Sequence, residues 1–298
     1  MISSEKQKAS AVLKQFSKAI DALDQRNNMI FGIFGNGFLL WDLMQSYKLE
    51  MWIKENSGSV EKWFGVIEFL DAYNTLGNFA FNHPAYVFPN INHDSHITEA
   101  TQLAHPLLDP EKRIANDFTI EKEQFFIITG ANMAGKSTFL RTVSLQLVMA
   151  NVGLPVCAAS CRYSPIKLIT SMRTTDSLTD DESYFFSELK RLKYIVEEIK
   201  IDRYFIILDE ILKGTNSTDK AIGSRKFIEK LVRSKSTGII ATHDLSLCEV
   251  TEELPQVKNY YFDAEIINDE LNFDYRFKKG VCQNMNASFL LKKMKIVD

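Results

Sequence analysis

Apolar residues recur at helical spacing through the first eighty residues. Trp63, Val66, Ile67, Leu70, Tyr73 and Leu76 fall on one face of a 3.6-residue period. No proline interrupts Glu5 to Phe81, so the pattern predicts two or three long helices. Met29 to Met44 is apolar almost throughout but holds Asn36 and three glycines. It is shorter than the roughly 20 residues that a membrane-spanning helix needs, so it reads as a buried helix segment and no membrane contact is expected.

The character changes between His83 and Pro110, where Pro84, Pro89, Pro106 and Pro110 punctuate short segments such as Ile97 to Leu103. A boundary near residue 85 therefore separates a helical region, 1–85, from a second domain, 86–298. In that domain, patterns alternate: strand 125–129, helix 136–150, strand near 165–170, helix 182–199, strand 203–208, helix 218–233 and strand 237–241. This order predicts an α/β layered sheet with helices on both faces and its chemistry at the carboxyl ends of the strands. Asn259 to Phe277 alternates as an antiparallel hairpin would, with Asn268-Asp269 at the turn and a short terminal helix beyond it.

Three apolar strands of that domain end in polar residues with chemical meaning. Phe125-Phe126-Ile127-Ile128 runs into Gly130-Ala131-Asn132-Met133-Ala134-Gly135-Lys136-Ser137, which fits the P-loop pattern G-x-x-x-x-G-K-[ST]. The two glycines let backbone N–H groups face a bound phosphate at the start of the next helix. Lys136 then reaches the β- and γ-phosphates, and the Ser137 hydroxyl ligates Mg²⁺. Tyr204 to Leu208 is an aromatic and aliphatic strand ending in Asp209-Glu210. Adjacent acids at a buried strand tip need a compensating cation; in a P-loop enzyme the first, Asp209, supports Mg²⁺ and the second, Glu210, activates water. Gly238 to Ala241 leads to Thr242-His243, and His243 is expected to meet the γ-phosphate or the attacking water.

Charge and cysteines narrow the setting. A formal net charge of -3 gives no whole-protein field favouring nucleic acid, so any such contact needs a local patch. Lys190, Arg191 and Lys193, and the terminal Lys292, Lys293 and Lys295, read as solvated helix faces, and no DNA-contact residue is assigned. Cys157, Cys161, Cys248 and Cys282 show no C-x-x-C pairing, and no signal peptide opens the chain, so reduced thiols and a cytoplasmic location are expected. His93 and His96 have no convergent third ligand, and no zinc site is expected.

These residues together resemble the ATPase part of the MutS family of DNA mismatch-repair proteins. Thr129 to Arg141, with the Asn132-Met133 pair and Thr138, is similar to the family's P-loop; Leu208-Asp209-Glu210 with Gly214-Thr215 and Asp219 is similar to its Walker B strand and following loop. Ala241-Thr242-His243 matches its switch histidine, and Ile97-Thr98-Glu99 with His105-Pro106 also matches. Asp176-Ser177-Leu178 through Ser183, Phe185 and Glu188 resembles the signature region, with Asp180-Asp181-Glu182 where the family usually has Ser-Gly-Arg. The resemblance is specific from about residue 95 to residue 290. Residues 1–85 would correspond to the end of the family's lever helices and their connector.

The resemblance implies a P-loop NTPase fold of the ABC-ATPase type and a head-to-tail homodimer that sandwiches ATP and Mg²⁺ between two chains. Ser183 would approach the partner's nucleotide in trans, and Arg113, where the family commonly has an aromatic residue, would stack on the base. The implied function is ATP hydrolysis driving a DNA clamp in mismatch repair; the alternative is a relative acting on branched or recombination DNA or on stalled ribosomes. A switch with little turnover is disfavoured by the intact Lys136, Ser137, Asp209 and Glu210. No Phe-x-Glu mismatch-wedging motif is present near the N-terminus, so DNA binding could reside in segments outside this chain.

Overall fold

The structure is a computed structural model that describes residues 8–92, 96–172, 184–267 and 270–283, without the side chains of Arg26 and Tyr184. The chain divides into two compact units, Met1–Asn78 and Phe79–Asp298. Among the described residues no helix is long and apolar enough to cross a membrane.

The first unit is helical: α1 Ala9–Asp24, α2 Met29–Leu39, and the start of α3 Trp41–Asn82. Asn28 caps α2 by accepting from the N–H groups of Ile30 and Phe31, and Leu40 ends it in the left-handed conformation. Asn36 and Asp42 exchange two hydrogen bonds across the α2–α3 corner. The indole N–H groups of Trp41 and Trp52 donate to the Ala22 and Val12 carbonyls, pinning α3 along α1.

One expectation fails here. Met29 to Met44 is not buried: Met29 and Phe38 are 79% and 81% exposed, and Ile30, Ile33, Phe34, Leu39 and Leu43 are all exposed. Apolar residues surround α2 on every side, and a unit of three helices covers only the stripe through Phe31 and Gly35. The α3 face at Val66, Ile67, Leu70 and Tyr73 is helical as predicted, but exposed.

The second unit is α/β. Its strands and helices are β1 Asn90–Ile91, β2 His96–Leu103, β3 Asn116–Glu121, β4 Phe125–Gly130, α4 Lys136–Asn151, β5 Ser160–Tyr163, β6 Lys167–Ser171, α5 Tyr184–Glu198, β7 Tyr204–Asp209, α6 Ser217–Arg233, β8 Thr237–Ala241, β9 Val257–Phe262, β10 Glu265–Ile267, β11 Glu270–Asn272 and β12 Lys278–Lys279. A six-stranded sheet runs β12-β9-β4-β8-β7-β6, parallel except for β12; β1-β5-β2-β3 form a second, four-stranded sheet.

The apolar runs follow from burial on both faces of the large sheet. Phe126, Ile128, Phe205 and Ile207 face one core with Leu140, Val143 and Leu147 of α4 and with Phe118, Ile120 and Tyr163 of the smaller sheet. Phe125, Ile127, Ile206 and Leu208 face another with Leu192 and Ile195 of α5 and Ile228 and Leu231 of α6. At Gly238 a Cβ would lie 2.4 Å from the Ile206 carbonyl oxygen and 2.8 Å from the Phe125 ring, so β8 packs there only as glycine.

The C-terminal hairpin is present but shorter than expected, because its first part, β9, belongs to the large sheet. The antiparallel pairing is present between β10 and β11, whose register Ile267↔Glu270 brackets positions 268–269, and β12 pairs antiparallel with β9; β9 itself, on its other side, pairs in parallel with β4 inside the large sheet. β9 is half-covered, so its alternation reads as a hairpin arm although its longer pairing, with β4, joins segments distant in sequence. The expected turn at Asn268-Asp269 and the terminal helix lie outside the described residues.

Candidate functional site

β4, β7 and β8 all end at one edge of the large sheet, and Lys136, Glu210 and His243 converge there. β4 stops at Gly130, whose φ of 149° and a notional Cβ 2.5 Å from the Phe262 carbonyl oxygen exclude other residues. The chain turns through Met133, a bulky residue held at φ 67° and 76% exposed, beside exposed Asn132. Ala131 and Ala134 are buried beneath it. Gly135, at φ 106°, is the N-cap of α4. The first intrahelical bond runs from Phe139 N–H to the Gly135 carbonyl at 2.9 Å. The N–H groups of Lys136, Ser137 and Thr138 precede it and carry the helix's positive end. Ser137 is half-buried and Thr138 exposed.

Lys136 is buried and folds back over its own loop, donating to the Gly130 carbonyl at 2.7 Å and the Ala131 carbonyl at 2.9 Å. Its Nζ lies 3.3 Å from His243 Nε2. Burial pulls the ammonium down to about 8, against the charges of Glu210 and Asp209, which raise it. Burial, then the Lys136 charge, also pushes His243 below its ordinary value despite the opposing carboxylate of Glu210. The imidazole is therefore neutral at pH 7.

Glu210 sits at φ 50°, and its N–H donates to the Ala241 carbonyl at 2.9 Å, tying it to the end of β8. Its carboxylate lies 3.2 Å from His243 Nε2 and 2.9 Å from Lys213 Nζ. Burial raises its pKa, but the hydrogen bond and charge of Lys213, with His243 and Lys220, outweigh burial and leave it below the ordinary range. Glu210 is thus an ionised acceptor at neutral pH, half-enclosed at the strand edge. A single His243 nitrogen faces both Lys136 and Glu210. It either accepts from the ammonium or donates to the carboxylate, and its tautomer decides which.

The remaining predicted residues divide. Asp209 is buried at the tip of β7, opposite Ala241 of β8. Arg113 turns instead to Tyr86: its Nη1 donates to the Tyr86 hydroxyl at 3.3 Å and its guanidinium lies 5.7 Å from the ring centre. The two line a pocket of about 400 Å³ that includes none of residues 130–138. Ser183 and Asp180 to Glu182 lie outside the described residues. The four cysteines are buried, and none forms a disulfide among the described residues.

Two neighbours of the site were not anticipated. Lys213 follows the two acids within one turn of chain, and its proximity in sequence was the only signal. Tyr275, held at φ 52°, places its ring 3.2 Å from a notional Cβ on Gly135. Asn116 brackets it, donating to the Tyr275 carbonyl and accepting from Phe277 N–H. That contact joins segments remote in sequence and leaves no local pattern.

The MutS domain V family model matches residues 126–295. The chain is 34% identical over 194 residues to MutS protein homolog 4 of Homo sapiens, covering 61% of this chain and 20% of that protein. It is 30% identical over 244 residues to DNA mismatch repair protein MutS of Flavobacterium psychrophilum, covering 78% of this chain and 28% of that protein. DNA mismatch repair protein MSH4 of Arabidopsis thaliana is 29% identical over 200 residues, 64% of this chain and 24% of that protein. The chain thus spans between a fifth and three-tenths of the length of these relatives. The family match extends over more than half of the chain and includes the strand edge where Lys136, Glu210 and His243 meet, and on that ground the chain belongs to the MutS family.

Proposed function

We propose that this chain binds ATP with Mg²⁺ at the loop 130–138 and hydrolyses it to drive a DNA-acting MutS-type assembly. The observation that carries the reading is the convergence of Lys136, His243 and Glu210 at the carboxyl edge of the sheet, where His243 Nε2 lies 3.3 Å from Lys136 Nζ and 3.2 Å from the Glu210 carboxylate, beside a glycine-bounded loop and a helix N-terminus. Gly130 to Gly135 and the first-turn N–H groups of α4 cradle the phosphates, and Lys136 exchanges a loop carbonyl for a phosphate oxygen. Ser137 and Asp209 offer the hydroxyl and carboxylate oxygens that Mg²⁺ prefers. The cation supplies charge neutralisation on the phosphates. Glu210, ionised at neutral pH, orients and deprotonates the attacking water, and His243 links its position to the ammonium of Lys136.

By the family resemblance, two copies close head to tail over two nucleotides, with Ser183 contributed in trans. Arg113 bonds Tyr86, whereas Tyr275 packs against Gly135 of the phosphate loop and offers an aromatic face beside it. Mismatch repair is the favoured setting because relatives bear that name. The test is steady-state ATP hydrolysis over a range of protein concentrations, without DNA and with paired, mismatched and branched duplexes. Hydrolysis abolished by Lys136→Ala and stimulated by mismatched duplex supports the reading; stimulation by branched DNA alone moves the substrate; absence of hydrolysis in the native protein defeats it.

A further inference from the structure

Glu188 lies on α5, one turn beyond the helix start at Tyr184, and is 6% exposed. Burying a carboxylate is costly unless its oxygens are matched. Here both are: Oε1 accepts from Leu212 N–H at 2.6 Å and Oε2 from Lys213 N–H at 3.2 Å. The loop it grips is unusual. Glu210 and Leu212 both hold left-handed backbone, at φ 50° and 59°, which non-glycine residues adopt only when their surroundings fix them. Packing on both sides supplies that fixing. A Cβ on Gly214 would lie 2.7 Å from Phe185 Cβ on α5, and one on Gly223 would lie 2.6 Å from Leu212 Cδ1. α5 is anchored to the sheet as well, because Arg191 donates from Nε and Nη2 to the Thr170 carbonyl at the end of β6, at 3.0 and 2.6 Å.

We infer that Glu188 is a positioning residue: by holding the backbone of residues 212 and 213 against α5, it sets the left-handed turn that aims the Glu210 carboxylate and its Lys213 partner at the sheet edge. The inference rests on the proposed role of Glu210 in hydrolysis. Glu188 is buried with both carboxylate oxygens taken by backbone N–H groups, so its effect belongs to the chemical step and not to binding. It also gives α5 a mechanical connection to Glu210, so a displacement of the helix start moves the carboxylate with it.

The test uses the full chain with Glu188→Gln, which keeps the volume but turns one acceptor into a donor facing an N–H. Single-turnover hydrolysis is expected to fall about tenfold or more while the ATP dissociation constant changes less than twofold. Glu188→Gln added to Glu210→Gln is expected to change nothing further, because the two act through one carboxylate. Amide exchange at Leu212 and Lys213 is expected to quicken by about tenfold with the β7 amides unaffected. Gly214→Ala leaves Glu188 intact but drives the loop away from Phe185; it should reproduce the loss and serves if Glu188→Gln does not fold. Unchanged exchange at 212 and 213, unchanged turnover, or full additivity with Glu210→Gln overturns the inference. Native protein that fails to hydrolyse ATP defeats the functional reading instead, while the exchange measurement still decides whether Glu188 holds the loop.

Discussion

At the scale of single residues, the proposed chemistry depends on which protons Lys136, His243 and Glu210 hold. Glu210 is ionised and His243 neutral at pH 7, so a base and a neutral relay stand side by side. Glu210→Gln keeps the shape of the site and removes the base; nucleotide binding should persist while hydrolysis slows by roughly 10²–10⁴-fold, the usual worth of a positioned base. Native turnover in that variant would remove Glu210 from the mechanism. Lys136 gives a pH signature of opposite kind. Its pKa in the free protein is about 8, below the usual 10.5, and an anion beside it raises the value again. Binding therefore takes up a proton above pH 8 and not below. Affinity for ATP, measured without divalent cation, should be level from pH 6.5 to about 8 and then weaken by up to about tenfold per pH unit. Titration calorimetry or a fluorescent nucleotide across that range reads it directly, and an affinity that does not fall above pH 8 would show that the ammonium makes no phosphate contact.

At the scale of elements, the loop between β4 and α4 works only with the glycines it has. Gly130→Ala places a Cβ 2.5 Å from a backbone oxygen of β9, at a φ that alanine rarely adopts. Destabilisation on the order of 2 kcal/mol is expected by thermal or denaturant unfolding, with the loss concentrated where β9 meets β4; an unfolding midpoint equal to the native one would show that β9 yields easily. The same loop shows what a sequence reveals. β4, β7 and β8 were legible because strands buried on both faces are continuous apolar runs, and Lys136, Glu210 and His243 because each follows such a run immediately. β3 and β5 were missed: β5 has four residues, too few to show a period, and β3 shows only Phe118 and Ile120 as buried alternates. The partner of β9, the exposure of α2, the grip of Glu188 on residues 212 and 213, and the contact of Tyr275 with Gly135 are all set by tertiary neighbours. No local pattern encodes them.

At the scale of the molecule, the two units are built on different terms. Every buried hydrophobic residue among those described lies in Phe79–Asp298, with Val12 the one exception. The second unit therefore contains both cores on its own chain, and residues 79–298 are expected to fold alone. The first unit exposes Met29, Ile30, Ile33, Phe34, Phe38, Leu39 and Leu43, more contiguous apolar surface than a solvated helix usually shows. Two consequences can be separated by comparing the full chain with the 79–298 piece. The piece should keep a cooperative unfolding transition close to that of the full chain, and the full chain should bind a hydrophobic dye such as ANS more strongly. If the composite site of the family is formed here, its residues all lie in the sequence of the second unit and so within the piece. Specific ATP hydrolysis should then rise with protein concentration in the piece as in the full chain, since two copies must meet before either turns over. A rise seen with the full chain alone would place the association in the helical unit, and a concentration-independent rate in both would mean that each copy completes its own site.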